Sequence, residues 1–349
     1  MTAEPAVPRK ADGNIPFLAA RADQASRLAD AIGTVTAATS ELAAAGYLSG
    51  PGPIFIGIGA SHAAACAPVW TLRARGIHAW RLGAGDYPLP FPRSEHPLVG
   101  VSQSGRSTET LAVLESVAPE RRYAVVNRTP SPIATTARIV IDIGNIPDSY
   151  ASTVGYTATV VALGILADAW DGGHVDPGWR ELPETLRETE LRLTGPMRAL
   201  AALFTRAPSA DFVGAGPSVG SAEAAALLFR EVARIPATGM GTRQYLHGSM
   251  ESAGGGVHVL FGDTREAEVA ATLAAAGHQV ILITCKDAVS GPRLDVVRLP
   301  DRPPAQRVIL EALAVQILVA AVAKERSVDI EEFVFHNPDT KIPAGTSPE

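Results

Sequence analysis

The stretch Leu98-Val99-Gly100-Val101-Ser102-Gln103-Ser104-Gly105-Arg106-Ser107-Thr108 decides how this chain reads. Leu98 to Val101 predicts a short buried strand, and Thr108 to Val117 predicts a helix. Between them lie three serines and a glycine. In an open α/β sheet the carboxyl ends of the strands are where ligands bind. A helix that starts there presents unpaired N–H groups and the positive end of its dipole. Ser102, Ser104 and Ser107 add short hydroxyl donors, and Gly105 permits a tight turn. These donors suit a phosphate without a lysine, and no G-x-x-x-x-G-K-[ST] loop is present. The plainer alternative is a serine-rich turn that caps a helix.

The same alternation extends on both sides. Phe17 to Ala45 predicts helix. Ile54-Phe55-Ile56 predicts a buried strand, broken by Gly57-Ile58-Gly59-Ala60-Ser61, and an Ala-rich helix follows to about Arg75. Strands are expected at His78–Leu82, Tyr123–Val126 and Ile139–Ile143. The pattern restarts with a helix at Trp179–Leu203 and a strand, Asp211-Phe212-Val213, that ends in Gly214-Ala215-Gly216. An Ala-rich helix follows at Ser221–Ala233. Further strands fall at Val257–Phe261, Val280–Thr284 and Val296–Leu299, with helices at Arg265–Ala276 and Gln306–Lys324. Strands alternating with helices imply parallel sheets covered on both faces. The expected class is α/β, with two doubly wound lobes at 17–180 and 181–335. A loose N-terminal tail at 1–16 and a C-terminal tail at 336–349 complete the chain.

Composition narrows the function. A chain of 349 residues suits two α/β lobes, and 46% apolar residues is a globular composition. A net charge of −6 leaves no broad basic surface for nucleic acid. Cys66 and Cys285 are too few for a disulfide framework or a four-cysteine zinc site, and both sit in apolar runs as core residues. No signal peptide is evident. Val308–Ala323 is interrupted by Glu311 and Gln316 and is short for a membrane span, so a cytoplasmic protein is expected. The Gly57-x-Gly59 loop has His62 where a dinucleotide fingerprint needs its third glycine. The strand at 78–82 ends without an acid for a ribose, which disfavours a nicotinamide oxidoreductase. The third loop, Gly214 to Ser218, reads as strand–helix packing.

Taken together, these residues resemble the SIS (sugar isomerase) family. Val101 to Ser107 looks like its phosphate loop, as found in the isomerase half of glutamine:fructose-6-phosphate amidotransferase and in SIS-type glucosamine-6-phosphate deaminases. Gly57 to Ala64, Asn127 with Ser131-Pro132-Ile133-Ala134, Tyr150-Ala151-Ser152-Thr153, Glu223 to Glu231 and His247-Gly248 extend the match. The resemblance implies that Ser61, Ser102, Gln103, Ser104 and Ser107 hold a phosphate. It implies that Ser152 and the backbone of Tyr150 touch the sugar. Glu231 would be the base, His247 the ring-opening histidine supplied across a homodimer interface, and Lys341 an imine-forming lysine. His336 is a lesser candidate beside Lys341. The implied substrate is an amino-sugar or ketose 6-phosphate; no cofactor or metal, no nucleic acid and no membrane is implied.

The chemistry fits these residue types. Moving a carbonyl between C1 and C2 requires proton abstraction beside it, which a carboxylate with a raised pKa performs. Histidine shuttles protons near neutrality, and a lysine amine in a low-polarity site forms a Schiff base. On residues alone, Glu231 also reads as a solvated acid paired with Arg230 or Arg234, His247 as a helix end, and Lys341 as an ordinary exposed lysine.

The sequence also departs from the family pattern. Leu228 replaces a lysine, Ala224 a glutamate (with Glu223 beside it), Gln244 a glutamate and Val154 a lysine. Charge is thereby removed from around the sugar. There is no room for a glutaminase domain beside the two lobes, and Met1 is followed by Thr2 rather than cysteine, so free ammonia is the expected nitrogen partner of any amino-sugar chemistry. A plain aldose–ketose isomerase and a non-enzymatic sugar-phosphate sensor are the competing readings.

Overall fold

The computed structural model describes residues 14–335 and 337–343. Most of the tail expected at 1–16 lies outside them, as do His336 and half of the tail at 336–349.

The first half begins with helices α1 (Phe17–Ala22) and α2 (Gln24–Ala44). A parallel sheet follows: β1 (Ile54–Gly57), β2 (Trp80–Gly83), β3 (Leu98–Ser102), β4 (Arg122–Val126) and β5 (Ile139–Asp142), in the order β2-β1-β3-β4-β5. The crossovers carry α3 (Ala60–Ala64), α4 (Cys66–Ala74), α5 (Thr108–Glu115) and α6 (Pro132–Thr136). After β5 the chain forms α7 (Val154–Ala169), which leads to α8 (Leu182–Leu200) and the second half. There β6 (Ala210–Gly214), α9 (Ser218–Leu228), β7 (Ala237–Gly241), α10 (Thr242–Leu246), β8 (Val257–Phe261), α11 (Arg265–Ala275), β9 (Gln279–Thr284), β10 (Leu294–Arg298) and α12 (Pro304–Glu325) follow. Its sheet, β10-β9-β8-β6-β7, is also parallel and repeats the strand order of the first.

Besides the short helices α6 and α10, a long helix and a strand were not expected from the sequence. Every residue of α7 except Asp168 is buried, so the helix shows no polar face to betray its period. Strand β7 contains Gly239 and Gly241 and follows Pro236, so it reads as a turn; it is an edge strand paired only with β6. The Ala-rich helix expected up to Arg75 is instead two helices that meet at Ala65.

The two sheets are joined rather than merely adjacent. One hydrophobic core runs through α2, α4, α7, α8, α9 and α12 and takes side chains from both sheets. A smaller outer core lies under α5 and α6, and another under α10 and α11. The polar interruptions in α12 are paired within this core. Gln316 accepts from Gln24 Nε2 at 3.0 Å and donates to the Thr153 carbonyl at 3.3 Å. Among the described residues, no helix is long and apolar enough to cross a membrane.

Candidate active site

The strand order makes β1 and β3 neighbours from which the chain departs in opposite directions, so their carboxyl ends open a crevice at the switch point of the first sheet. Ser61 follows β1, and the serine loop follows β3. Ser102 is buried at the end of β3, its Oγ 3.0 Å from Ser107 Oγ. Ser104 Oγ accepts the Arg106 N–H at 3.3 Å. Gly105 has φ +64, and a Cβ there would lie 2.0 Å from Ser131 Oγ. Its carbonyl accepts the Ile133 N–H at 3.0 Å, which pins the loop to the start of α6. The loop thus needs glycine both for its backbone angle and for its close approach to Ser131.

Gln103 reaches toward the N-terminus of α7, where a Cβ on Gly155 would lie 2.9 Å from its Nε2 and 2.2 Å from Asp148 Oδ2. Asp148 escaped the sequence reading. It is 3% exposed and organises the Ser152 turn: Ser152 Oγ donates to Oδ2 at 2.6 Å, while the Thr153 N–H and Oγ1 donate to Oδ1 at 3.1 and 3.0 Å. Burial pushes its carboxyl up, and these hydrogen bonds oppose the shift.

Glu231 does not end an ordinary helix. After Leu228, α9 widens into a π turn, Phe229–Ala233, closed by Arg234 in the left-handed region at φ 53. Such one-turn insertions recur at functional sites because they re-aim a side chain. Glu231 is half-buried, and burial pushes its carboxyl up to about 7, with Lys341 pulling in the opposite direction. The surface ion pairs that the residues alone suggested are absent among the described residues. Arg230 donates to the Ala237 carbonyl and Arg234 to those of Asp329 and Glu332.

Lys341 arrives on a strap that leaves α12 and crosses both halves. Phe333 packs edge-to-face on Tyr150 at 4.4 Å. Asp339 accepts from Thr108 Oγ1 at 3.0 Å, Lys341 bridges to Ser107, and the Ile342 N–H donates to Arg106 at 3.0 Å. The strap therefore lies along the serine loop and carries its lysine within electrostatic reach of Glu231. Lys341 is exposed, so the low-polarity setting expected for its amine is not provided by the described residues.

His247 is exposed at the end of α10, its N–H bonded to the Gln244 carbonyl at 3.1 Å, and among the described residues it is Lys341 whose charge acts on Glu231. A narrow cleft lies between side chains of both halves, lined by Ala60, Ser152, Tyr156, Ala224, Leu228 and Glu231. Arg81 on β2 grips Glu223 on α9, with Nη2 to Oε1 at 2.8 Å, and this pair fixes α9 against the first sheet. Glu223, which the sequence shows beside the missing glutamate at Ala224, is thus spent on the joint between the lobes. Cys285 is buried as expected, its thiol pushed up to about 11 by burial; Cys66 is half-buried, with Sγ 3.5 Å from the Gly216 carbonyl. Among the described residues, no cluster of histidine, cysteine and acidic groups is placed to hold a metal.

Neither a protein-family model nor a curated protein matches the sequence. Solved structures do match. The C-terminal domain of glucosamine-fructose-6-phosphate aminotransferase from Francisella tularensis superposes with a TM-score of 0.76 at 17% identity, over 93% of this chain and 99% of that one. The tagatose-6-phosphate ketose/aldose isomerase of Escherichia coli gives 0.76 at 16% identity, over 95% and 100%. The fold is the double SIS fold. A glucosamine-6-phosphate deaminase from Thermotoga maritima shares it, with a TM-score of 0.69 at 16% identity over 88% of this chain and 96% of that one. At such identities the likeness carries the architecture of the two SIS lobes, and the chemistry must be argued from the side chains.

Proposed function

We propose that this chain is a phosphosugar isomerase or deaminase acting on an amino-sugar or ketose 6-phosphate. The observation that carries the proposal is Glu231. Its carboxyl is raised to about 7 on a π turn, and it lines one cleft with Ser152, while the strap brings Lys341 from the serine loop into its field. In this reading the phosphate docks on Ser61, Ser102, Gln103, Ser104 and Ser107 and supplies the binding energy that positions the sugar. Ser152 and the Tyr150 backbone touch the sugar. Lys341 holds C2 as an imine. Glu231 takes a proton from one carbon of the C1–C2 pair and returns it to the other. His247 opens the ring from a second copy of the chain in a homodimer. The names of the similar structures, a ketose/aldose isomerase and a deaminase among them, support this class of substrate.

The test is deuterium exchange followed by NMR. The protein is incubated in D₂O with fructose 6-phosphate, with and without ammonium, beside a Glu231→Gln control. Exchange at C1 or C2 with the intact protein, reduced about 10²–10⁴-fold in the variant, is expected. A requirement for ammonium selects the deaminase. Exchange undiminished in Glu231→Gln would remove the base from this assignment, and binding without any exchange would make the chain a sensor.

A further inference from the structure

One polar group in the cleft has no task in this scheme. Tyr156, on the first turn of α7, is 6% exposed and lines the cleft with Glu231. Its hydroxyl has no hydrogen-bond partner among the described residues. A buried hydroxyl left unpaired is costly, so one that persists in a cleft wall marks a place where a ligand completes the bond.

Beside Glu231, the other polar side chains of the cleft are already engaged. Ser152 Oγ donates to Asp148 at 2.6 Å, and Ser221 Oγ donates to Glu311 at 2.5 Å. The Gln316 amide bonds Thr153 through its nitrogen and Gln24 through its oxygen. Across from the phenol the wall is apolar: Ala224, Leu228, Ala312 and Val315. Burial first, then Cys66 and the nearby Glu311 and Glu223, push the phenol up, so at neutral pH it keeps its proton and donates. A substrate group at this place must therefore accept a hydrogen bond. A carbonyl or hydroxyl oxygen does so.

We infer that Tyr156 is a substrate-binding residue whose hydroxyl donates to an oxygen of the sugar phosphate held in this cleft. The inference rests on the function proposed above and adds to it a donor from the first lobe.

The test compares the intact protein with Tyr156→Phe, using calorimetric titration with fructose 6-phosphate and with glucosamine 6-phosphate, and thermal unfolding without ligand. In the variant the affinity for either sugar phosphate that the intact protein binds falls about tenfold, the loss of one hydrogen bond to the ligand. Without ligand the variant unfolds at the same temperature or higher, because it has shed an unpaired hydroxyl. Undiminished binding in the variant overturns the inference and means that water alone meets the hydroxyl. Earlier unfolding without ligand makes the hydroxyl a structural group and overturns the inference too. If the intact protein binds neither sugar phosphate, the proposed function fails first.

Discussion

The two lobes share a strand order and therefore two equivalent crevices, yet the crevices are furnished in opposite ways. In the first lobe the loop after β3 presents hydroxyls and backbone N–H groups from Ser102 to Ser107. In the second the corresponding loop, after β8, carries its own anion. Asp263 Oδ1 accepts from Thr284 Oγ1 at 2.7 Å and from the Cys285 N–H at 2.9 Å, and Oδ2 accepts from Arg307 Nη1 at 2.6 Å. Burial alone would raise this carboxyl, but the Arg307 hydrogen bonds prevail and hold it at about 2. Arg307 also donates to the fully buried Glu311 at 2.9 Å, and Ser218 Oγ completes the network at 2.9 Å. One topology thus yields a donor-rich loop in one crevice, and a self-neutralised joint where the loop brings a carboxylate. Topology locates a crevice, and side chains decide whether it remains free for a ligand.

The contrast is most exposed to failure at Arg307. Arg307→Met leaves Glu311 and Asp263 facing each other without their cation, and should lower stability in urea by about 3–5 kcal/mol. Fructose 6-phosphate affinity of the folded fraction should stay within about twofold. Lost affinity with little lost stability would make the second crevice a ligand site. Next in size is Gly105→Ala. It forces a positive φ and a contact with Ser131, so phosphosugar affinity measured by calorimetry should fall at least about thirtyfold, with about 1–2 kcal/mol of stability. An alanine accepted without effect would show that the first loop is not a rigid cradle. Ser107→Ala is milder: it removes one hydroxyl, and about tenfold weaker binding at nearly unchanged stability is expected.

The smallest effect is on pH. The unfolded Glu231 carboxyl ionises near its ordinary 4.5, and the folded one near 7. Between those values the native state holds a proton that the unfolded state has released. Stability from this group therefore falls as pH rises through that window, while the base form needed for turnover grows. Turnover should rise with pH around an inflection near 7. Lys341→Met, which removes the opposing charge, should move the ionisation of the Glu231 carboxyl, followed by NMR titration of the free protein, upward. A profile that stays put would separate the strap lysine from the base.

The sequence made the lobes legible wherever a strand is a solid apolar run, as in β1, β3, β8 and β9, and wherever loop chemistry is concentrated, as in Ser102 to Ser107. It hid α7 because burial on all sides erases the helical period, and β7 because its glycines imitate a turn. It showed Glu231 as a residue type at the family spacing but not the π turn that aims it, since one extra residue in a helical turn leaves composition unchanged. Asp148 and Tyr156 were invisible for a different reason. Their significance lies in what they bond, or fail to bond, on elements distant in the chain.

The strap has a consequence in time as well as in space. The ribosome delivers the serine loop early, the π turn much later, and Lys341 only after α12 has emerged. Each sheet can pair its strands from what has already been made, but the Ser107–Lys341 bridge joins contacts far apart in sequence and must close last. A nascent chain therefore passes through stages that hold the serine loop, or the loop and the carboxylate, without the amine. The full set meets only after α12 and the strap that follows it have been made.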